Sequence, residues 1–492
     1  MAASIAAAAA LSAPFPSDAA SWERAHADGA NSGFVDVVTA PAGSGSVTVP
    51  GLGSFAPGVG PVIAGDGTLY IGNEQGRLFA FNADGSPAWS RDLPSGQAIV
   101  ASAAVGADGA IYVIGVYKAT DHRVDPPAIR YASTLHRFLP GGAWLGGTPF
   151  PEQYEAFDDL RGRGATSAPP NIWKSYGVEV VMVPAVYRAP NGHDVRLVAF
   201  STSGDVIAET LVTYVSYGPV AGGSELGDAT WLCLVPPITL GCGATWFFDI
   251  LGFADPAGGT PVDSVHRLLV SRAPLPGVAV VDGTPWVIVS DREHAVVGYS
   301  FTPGDGFIER FRENHRGRTL LSPPTVLKDG HSIVGTADES GGALIFAQPS
   351  VVPHRALRLG SIYAAPTRLA NDRFVVVKGG GGFAVLRYGI DGYAPLQLVS
   401  LPGRSIASAA ASRNHLYIST ASAFYSYDAK TMQEVSRIDW VGGGLSPPAI
   451  GPQGHVYAIA SNILFVFPPP EEGPLDDHRP PGGGGVVVDP NP

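Results

Sequence analysis

The chain has 492 residues, a formal net charge of −12, 63 glycines, 44 prolines and only 15% charged residues. Long solvent-exposed helices would need more Glu, Lys and Gln, whereas frequent Gly and Pro suit many short strands joined by tight turns. The acidic balance leaves no basic stripe to neutralise phosphates, so we expect no nucleic-acid partner.

Residues 1–21 are apolar and rich in alanine, and Ser17-Asp18-Ala19-Ala20 resembles the end of a cleaved signal peptide. A basic start is missing, because the first cationic residue is Arg24. We expect this segment to direct export to the periplasm or the cell surface. A flexible leader without a targeting role is the alternative.

A repeated pattern of short apolar runs and turns begins at Pro61. Residues 61–89 contain four such runs separated by turns at 65–67, 73–76 and 82–85, which predicts a four-stranded antiparallel sheet. The pattern returns at 103–115, 277–290, 323–335, 365–378, 409–420 and 447–460. Several successive units are about 42 residues apart, which is the size of one β-propeller blade.

A less regular unit at 168–208, with its first turn near Gly177, predicts an eighth blade. The spacing on both sides of it exceeds the blade period, which indicates insertions near 118–133, 149–164 and 222–263. Seven or nine blades are the alternatives if this unit does not form one full sheet.

The last unit supplies only three evident strands, ending at Ile463–Phe467. Residues 46–50 (SVTVP) can supply the fourth, which would close a ring and leave no unpaired edge there. The sequence therefore predicts an all-β, eight-bladed propeller of four-stranded antiparallel blades over 22–467, closed by an N-terminal strand. Residues 468–492 are rich in Pro, Gly and acidic residues and are predicted to be disordered.

The first unit resembles the pyrrolo-quinoline quinone (PQQ) repeat through Gly65-Asp66-Gly67, Leu69-Tyr70-Ile71-Gly72, Gly76-x-Leu78-Phe79-Ala80-Phe81, Asp84-Gly85 and Trp89. Trp22 and Asn31-Ser32-Gly33 resemble the segment that often precedes such propellers. The resemblance spans roughly Trp22 to Phe467. It implies that tryptophans of outer strands pack against the next blade, a role open to Trp89, Trp144 and Trp440.

The same repeat occurs in quinoprotein dehydrogenases, outer-membrane assembly scaffolds and other exported proteins, so the resemblance implies a fold and leaves function open. A quinoprotein dehydrogenase would be expected to have adjacent cysteines beside the quinone, a stacking tryptophan, calcium ligands and an Asp base. Cys233 and Cys242 are the only cysteines and are not adjacent, and no CxxCH haem motif is present. We therefore expect no bound cofactor, metal ion or catalytic residue.

Several polar motifs have ordinary structural interpretations. The Asp-Gly pairs at 66–67, 108–109 and 282–283 suit tight turns through their backbone conformation. His294 beside Asp291 and Glu293, and the acidic run Glu152 to Asp159, are interpreted as solvated loops, with metal ligation as the alternative. Residues 379–382 (GGGG) are predicted to form a strand-to-strand turn.

The most apolar segment is Ala229–Phe253, within the third insertion. Pro236-Pro237, its glycines and Asp249 make a transmembrane helix improbable. We expect either a hairpin packed over one face of the ring, or a protein-docking surface formed by Trp231, Trp246, Phe247 and Phe248. A disulfide between Cys233 and Cys242 is expected in an oxidising compartment, with two buried thiols as the alternative.

These observations favour a non-catalytic exported propeller that binds a protein or a small ligand. The alternative is a divergent PQQ-dependent oxidoreductase of the alcohol or sugar dehydrogenase type, which would bind PQQ together with calcium. An enzyme whose residues gather in the channel from several blades would escape motif analysis.

Overall fold

The computed structural model places short strands, β1 to β34, along the chain. Its described residues contain no α-helix. The described residues are 22–470 without 44, 95, 122–127, 153–163, 190–191, 217–276, 291–294, 315–318, 321, 327–331, 338–342, 348–356, 371–372 and 390–391. None of them belongs to a helix long and apolar enough to cross a membrane.

The strands form eight antiparallel sheets, which are the predicted eight blades. Blade 1 consists of β2 (Val62–Ile63), β3 (Leu69–Gly72), β4 (Arg77–Phe81) and β5 (Pro87–Asp92). Blade 2 consists of β6 (Gln97–Ile99), β7 (Ala104–Val105), β8 (Ile111–Asp121), β9 (Ala128–Phe138) and β10 (Trp144–Pro149). Blade 3 consists of β11 (Asn171–Ser175), β12 (Val178–Ala189), β13 (Gly192–Ser201) and β14 (Val206–Ser216).

Blade 4 consists of β15 (Val278–Val280), β16 (Trp286–Ser290), β17 (Ala295–Thr302) and β18 (Gly306–Asn314). Blade 5 consists of β19 (Thr319–Leu320), β20 (Thr325–Val326), β21 (Ser332–Ala337), β22 (Ala343–Ala347) and β23 (Leu357–Arg358). Blade 6 consists of β24 (Thr367–Arg368), β25 (Arg373–Val377), β26 (Phe383–Gly389) and β27 (Gly392–Val399).

Blade 7 consists of β28 (Ala410–Ala411), β29 (His415–Ser419), β30 (Ala423–Asp428) and β31 (Glu434–Asp439). Blade 8 consists of β32 (Ala449–Ile450), β33 (Val456–Ala460), β34 (Ile463–Phe467) and β1 (Val47–Val49). In every blade the first strand in sequence order lies innermost, except that blade 8 takes its outermost strand from the N-terminus.

The less regular unit at 168–208 is a complete blade. Its strands β12, β13 and β14 pair over their length, and the turn between β11 and β12 contains Gly177. Gly177 has a φ of 74°, a conformation in which a side chain is unfavourable. The predicted eighth blade, and with it the blade number, is therefore confirmed.

The closing strand is also confirmed. Val47, Thr48 and Val49 pair antiparallel with Val466, Phe465 and Leu464 of β34. The N-H of Leu52 continues the contact by donating to the carbonyl oxygen of Asn462 at 3.2 Å. One chain thus closes its own ring, because the first described strand completes the last sheet.

Blades 2 and 5 differ from the simple pattern, because their innermost strand is split in two. In blade 2, β7 pairs with the start of β8, and β6 pairs with a later part of it, Gly115 to Tyr117. This second contact exists because β8 and β9 form a hairpin of 11-residue strands. Part of the predicted insertion at 118–133 therefore lies in these two strands.

The outermost strands share an irregularity that shapes the outer surface. In six blades a register shift leaves one residue of the outer strand without an opposite partner, and in blade 3 two shifts leave two such residues. Such bulges bend an edge strand and redirect its side chains. The extra residues include Leu145 in β10, Ile207 in β14 and Arg310 in β18.

Candidate functional site

The N-terminal residues 22–33 lie inside the ring, against the free edges of the innermost strands. Carbonyl oxygens of this segment accept backbone N-H groups from six blades at 2.7 to 2.9 Å. In blade order these contacts are Trp22 with Ile63, Glu23 with Val105, Gly29 with Val280, Ala30 with Val326, Ser32 with Arg368 and Gly33 with Ala411. Because each N-H belongs to an edge strand that faces the ring axis, the segment occupies the central channel at the end of these strands.

Two asparagines attach the segment to further backbone groups. Asn31 donates through Nδ2 to the carbonyls of Val278 and Pro324, at 3.2 and 2.8 Å. Asn171 of blade 3 donates to the carbonyls of Gly29 and Val278, at 3.0 and 2.7 Å. Both side chains are buried, so these bonds satisfy backbone groups that water cannot reach. With Asn171 included, seven blades hold the segment.

After residue 33 the chain passes blade 7 and then reaches blade 8, the one blade that residues 22–33 do not contact. Thr39 lies in a buried network in which it accepts the Tyr417 hydroxyl at 2.7 Å and contacts the Ser412 hydroxyl at 2.8 Å. The chain then crosses blade 7, where the N-H of Ala42 donates to Ser426 Oγ at 2.9 Å, and pairs with blade 8 as β1. Residues 22–49 therefore contact every blade of the ring.

Charged groups near the channel are paired with one another. Arg24, almost fully buried, donates to Asp282 at 3.2 Å, and burial raises the pKa of this carboxyl although the arginine opposes the shift. Lys174 lies 3.4 Å from Glu23 and 3.3 Å from Glu179. The contacts of Arg24 and Glu23 join the N-terminal segment to blades 4 and 3, whereas the contact between Lys174 and Glu179 lies within blade 3.

Buried polar atoms without a protein partner are concentrated in the same segment. Among the described residues, no hydrogen-bond partner is found for Trp22 Nε1, Arg24 Nε or His26 Nδ1. Burial lowers the pKa of His26 to about 4, so its imidazole is neutral near pH 7.

In two of the three predicted Asp-Gly turns the aspartate binds its own backbone, whereas Asp282 of the third pairs with Arg24. Asp66 Oδ1 accepts the N-H of Thr68, and Asp108 Oδ1 accepts the N-H of Ala110, both at 2.9 Å. The glycines that follow have φ values of 91° and 78°, as tight turns require. Within the described residues, no group of three or more His, Cys, Asp or Glu side chains is placed to hold a metal ion.

Several predicted site residues lie outside the described residues. They are Cys233, Cys242, Trp231, Trp246, Phe247, Phe248, His294, Asp291, Glu293, Glu155, Asp158 and Asp159. The expected disulfide, the expected aromatic docking surface and the metal-ligand alternatives at these positions stay predictions. Residues 379–382 do lie between β25 and β26, in the predicted turn.

Of the three outer tryptophans, two contact the next blade and one contacts its own blade. Trp89 donates its indole N-H to the carbonyl of Pro140 in blade 2 at 2.8 Å, which is the contact with the next blade that the resemblance implies. Trp440 packs on Phe465 of blade 8, with ring centroids 5.4 Å apart. Trp144 instead donates to His136 Nδ1 of its own blade at 3.3 Å and is 53% exposed.

These eight blades, closed by a strand from the N-terminus, define a β-propeller. No protein-family model matches the sequence, and no curated protein matches it. The fold is similar to the crystal structure of BamB from Moraxella catarrhalis, at 12% identity over 85% of this chain and 97% of that chain, with a TM-score of 0.50. It is also similar to quinohemoprotein alcohol dehydrogenase from Comamonas testosteroni, at 10% identity over 95% of this chain and 84% of that chain, with a TM-score of 0.54. At such identities the likeness shows the shared fold and does not transfer a function.

Proposed function

We propose that this chain is an exported, non-catalytic propeller that acts as a scaffold and binds another protein or a ligand on its outer surfaces. The observation that carries the proposal is the use of the channel by residues 22–33. In a ring of blades the channel is where side chains from many units converge, and it is a natural place for a small-molecule site. Here the free inner edges of six blades are hydrogen-bonded to the chain's own segment.

The polar side chains of this region support the same proposal. Arg24 is bound to Asp282, and Asn31 and Asn171 are bound to backbone carbonyls. Groups bound in this way hold the ring together, and displacing them to admit a substrate would leave buried polar atoms without partners. A rigid ring whose centre is filled in this way offers its outer rim and its loops for binding. Export rests on the alanine-rich residues 1–21.

The alternative is a divergent PQQ-dependent oxidoreductase, and it is supported by the repeat resemblance and by the fold shared with quinohemoprotein alcohol dehydrogenase. It predicts that the purified protein takes up PQQ in the presence of calcium and reduces an artificial electron acceptor when an alcohol or a sugar is added. The scaffold proposal predicts neither result.

The deciding experiment is affinity purification of the full chain from its native host, analysed by mass spectrometry for co-purifying proteins and for bound quinone. A variant without residues 229–253 is purified in parallel, because that segment contains the predicted docking aromatics. A stoichiometric protein partner supports the scaffold. Bound quinone together with dye reduction and no partner would overturn it in favour of the oxidoreductase.

A further inference from the structure

We propose that Gln97, His136 and Trp144 of blade 2 form an acid-sensitive latch, which holds the outermost strand β10 at neutral pH and releases it when His136 is protonated. The three side chains cross the whole blade, because Gln97 lies on the innermost strand β6, His136 on β9 and Trp144 at the start of β10. This inference goes beyond the proposed function, since it concerns how one blade responds to acid whatever the ring binds.

The hydrogen bonds of the latch fix the protonation state of His136. An indole N-H can only donate, so Nδ1 of His136, which lies 3.3 Å from Trp144 Nε1, accepts through its lone pair. The proton of the neutral imidazole is then on Nε2, which lies 2.6 Å from Gln97 Oε1 and donates to it. Only the neutral ring, in this one tautomer, makes both contacts.

A second proton on the imidazole opposes the contact with Trp144. It binds at Nδ1, because Nε2 already carries a proton, and it places two N-H donors opposite each other. His136 is also only 1% exposed, so the new charge is held away from water. Burial accordingly lowers the pKa of His136 to about 4. Protonation of His136 is therefore coupled to the loss of its bond with Trp144.

Tight packing leaves the protonated ring little room to turn within the blade. A Cβ added to Gly115 of β8 would lie 2.9 Å from His136 Nε2, and one added to Gly147 of β10 would lie 2.7 Å from Nδ1. Leu93, which follows the outer strand of blade 1, closes the same space, because it also lies 2.9 Å from the added Cβ of Gly115. The ring gains water only when β10 moves away from it.

The charged and titratable groups on this side of blade 2 do not stabilise an imidazolium. His136 lies on the face that packs against blade 1, as its neighbour Phe138 does. From β8 this face carries Tyr117, and from β5 of blade 1 it meets Arg91, whose Nε donates to the Gly142 carbonyl at 3.0 Å. A phenol and a guanidinium cannot neutralise an imidazolium as a carboxylate would. β10 itself has no charged residue.

The latch matters to β10 because this strand has few other attachments. β10 is the edge strand of its sheet and pairs with β9 alone. A register shift after Trp144 interrupts this pairing, and Gly146 and Gly147 follow at once. Glycine weakens a strand, since it has no side chain to pack and loses more entropy on ordering. Loss of the Trp144 bond therefore frees the start of β10.

Blade 1 provides an internal control. Its outermost strand β5 also carries a tryptophan, Trp89, whose indole N-H donates to the carbonyl oxygen of Pro140 at 2.8 Å. A backbone carbonyl does not titrate in the range in which histidine does. The two neighbouring outer strands thus differ in whether the acceptor of the indole can be protonated, and acid should release β10 without releasing β5.

The test is hydrogen exchange of the full chain, read by mass spectrometry at pH 7, 5 and 4 and corrected for the intrinsic effect of pH on exchange. In the released state we expect His136 to titrate near 6.5, so relative to pH 7 release is favoured about 20-fold at pH 5 and about 100-fold at pH 4. The amides of β10 should lose protection by about these factors, and those of β5 should change less than about 3-fold.

Two variants separate the latch from a general effect of acid. His136→Gln keeps a side chain that can accept the indole N-H but does not titrate, so protection of β10 should no longer depend on pH. Trp144→Phe removes the donor that opposes the second proton, so the loss between pH 7 and 4 should be smaller than in wild type. Circular dichroism establishes that each variant is folded, and if His136→Gln is not, Trp144→Phe decides alone.

Two results would overturn the latch. An equal loss of protection in β5 and β10 would show that acid acts on the whole ring. A pH dependence of β10 that keeps its wild-type size in either folded variant would show that the contact between His136 and Trp144 does not sense the proton.

Discussion

The hydroxyl of Tyr457 in blade 8 donates a 2.9 Å hydrogen bond to the carbonyl oxygen of Ala83 in blade 1, across 374 residues of sequence. Tyr112 makes the equivalent contact from blade 2 to Thr202 of blade 3, at 3.2 Å. Both acceptors lie in the turn before the outermost strand of the next blade. The junction that closes the ring therefore uses the same side-chain contact as an internal junction, in addition to β1.

Replacing Tyr457 with Phe removes this bond and leaves the carbonyl of Ala83 without its donor. We expect the free energy of unfolding to fall by about 1 kcal/mol. Chemical denaturation followed by circular dichroism measures the change. The control is Tyr425→Phe, because no partner for the buried Tyr425 hydroxyl is found among the described residues. That change is expected to be neutral or stabilising, and an equal loss in both variants would contradict the assigned role of Tyr457.

The Arg24–Asp282 pair offers a double-mutant test of how the N-terminal segment is held. Arg24→Met leaves a largely buried carboxylate without its cation, and we expect a loss of about 2 kcal/mol of unfolding free energy. Adding Asp282→Asn removes the uncompensated charge and should recover most of this loss. Urea denaturation of the two single variants and the double variant gives the coupling energy. Additive effects would show that the ion pair does not couple the segment to blade 4.

Acid is expected to destabilise the ring through its buried histidines. Burial lowers the pKa of His26 and of His136 to about 4, whereas an unfolded histidine titrates near 6.5. Between pH 6.5 and 4 the unfolded chain takes up protons that the folded chain does not, so the unfolding free energy falls as the pH falls. The stabilisation is fully present above pH 6.5, and each histidine contributes at most about 3 kcal/mol to the loss.

Denaturation at a series of pH values measures this dependence. His136→Gln removes one of the two groups and keeps a hydrogen-bonding side chain beside Gln97 and Trp144. We expect a shallower slope between pH 6.5 and 4 in this variant, by up to one proton. Parallel slopes for the variant and the wild type would argue that His136 titrates normally in the folded protein.

The closing strand can be tested by replacing Val47–Val49 with Gly-Ser-Gly. The change keeps the chain length but removes the β-branched side chains that favour strand pairing with β34. We expect the unfolding free energy to drop by about 2 kcal/mol and self-association to increase, because β34 becomes an exposed edge. Calorimetry and analytical ultracentrifugation measure the two effects. An unchanged melting temperature in a monomeric variant would mean that β1 does not stabilise the ring.

The blades could be predicted from sequence because each repeats a local signal. The turn at Gly67 and its counterparts recur near the blade period, and short apolar runs flank them. The closing strand followed from a simple count, since the last unit lacked one strand and residues 46–50 had no other place. A local pattern also existed for the tyrosine contacts, because Tyr70, Tyr112, Tyr417 and Tyr457 occupy one repeat position, although their acceptors could not be read from it.

The path of residues 22–33 could not be predicted in the same way. Its carbonyl oxygens accept hydrogen bonds from strands that are spread along the chain from Ile63 to Ala411. Every residue type has a backbone carbonyl, so the sequence does not indicate these contacts. The family resemblance placed Trp22 and Asn31 before the propeller without locating them inside it. Trp144 illustrates a second limit: its position in the repeat matched a packing role, but the nearby His136 provides a hydrogen-bond acceptor within its own blade.

The ring-spanning contacts of residues 22–49 also govern the order in which the protein can mature. During synthesis this stretch emerges before the blades that it contacts, and Thr39 cannot form its hydrogen bond with Tyr417, which follows it by 378 residues, until that residue has been made. Contacts this distant in sequence make folding slow and leave strand edges open to association in the meantime. The newly made N-terminal segment therefore needs protection, by a chaperone or by its own solubility, until the last blade has been made.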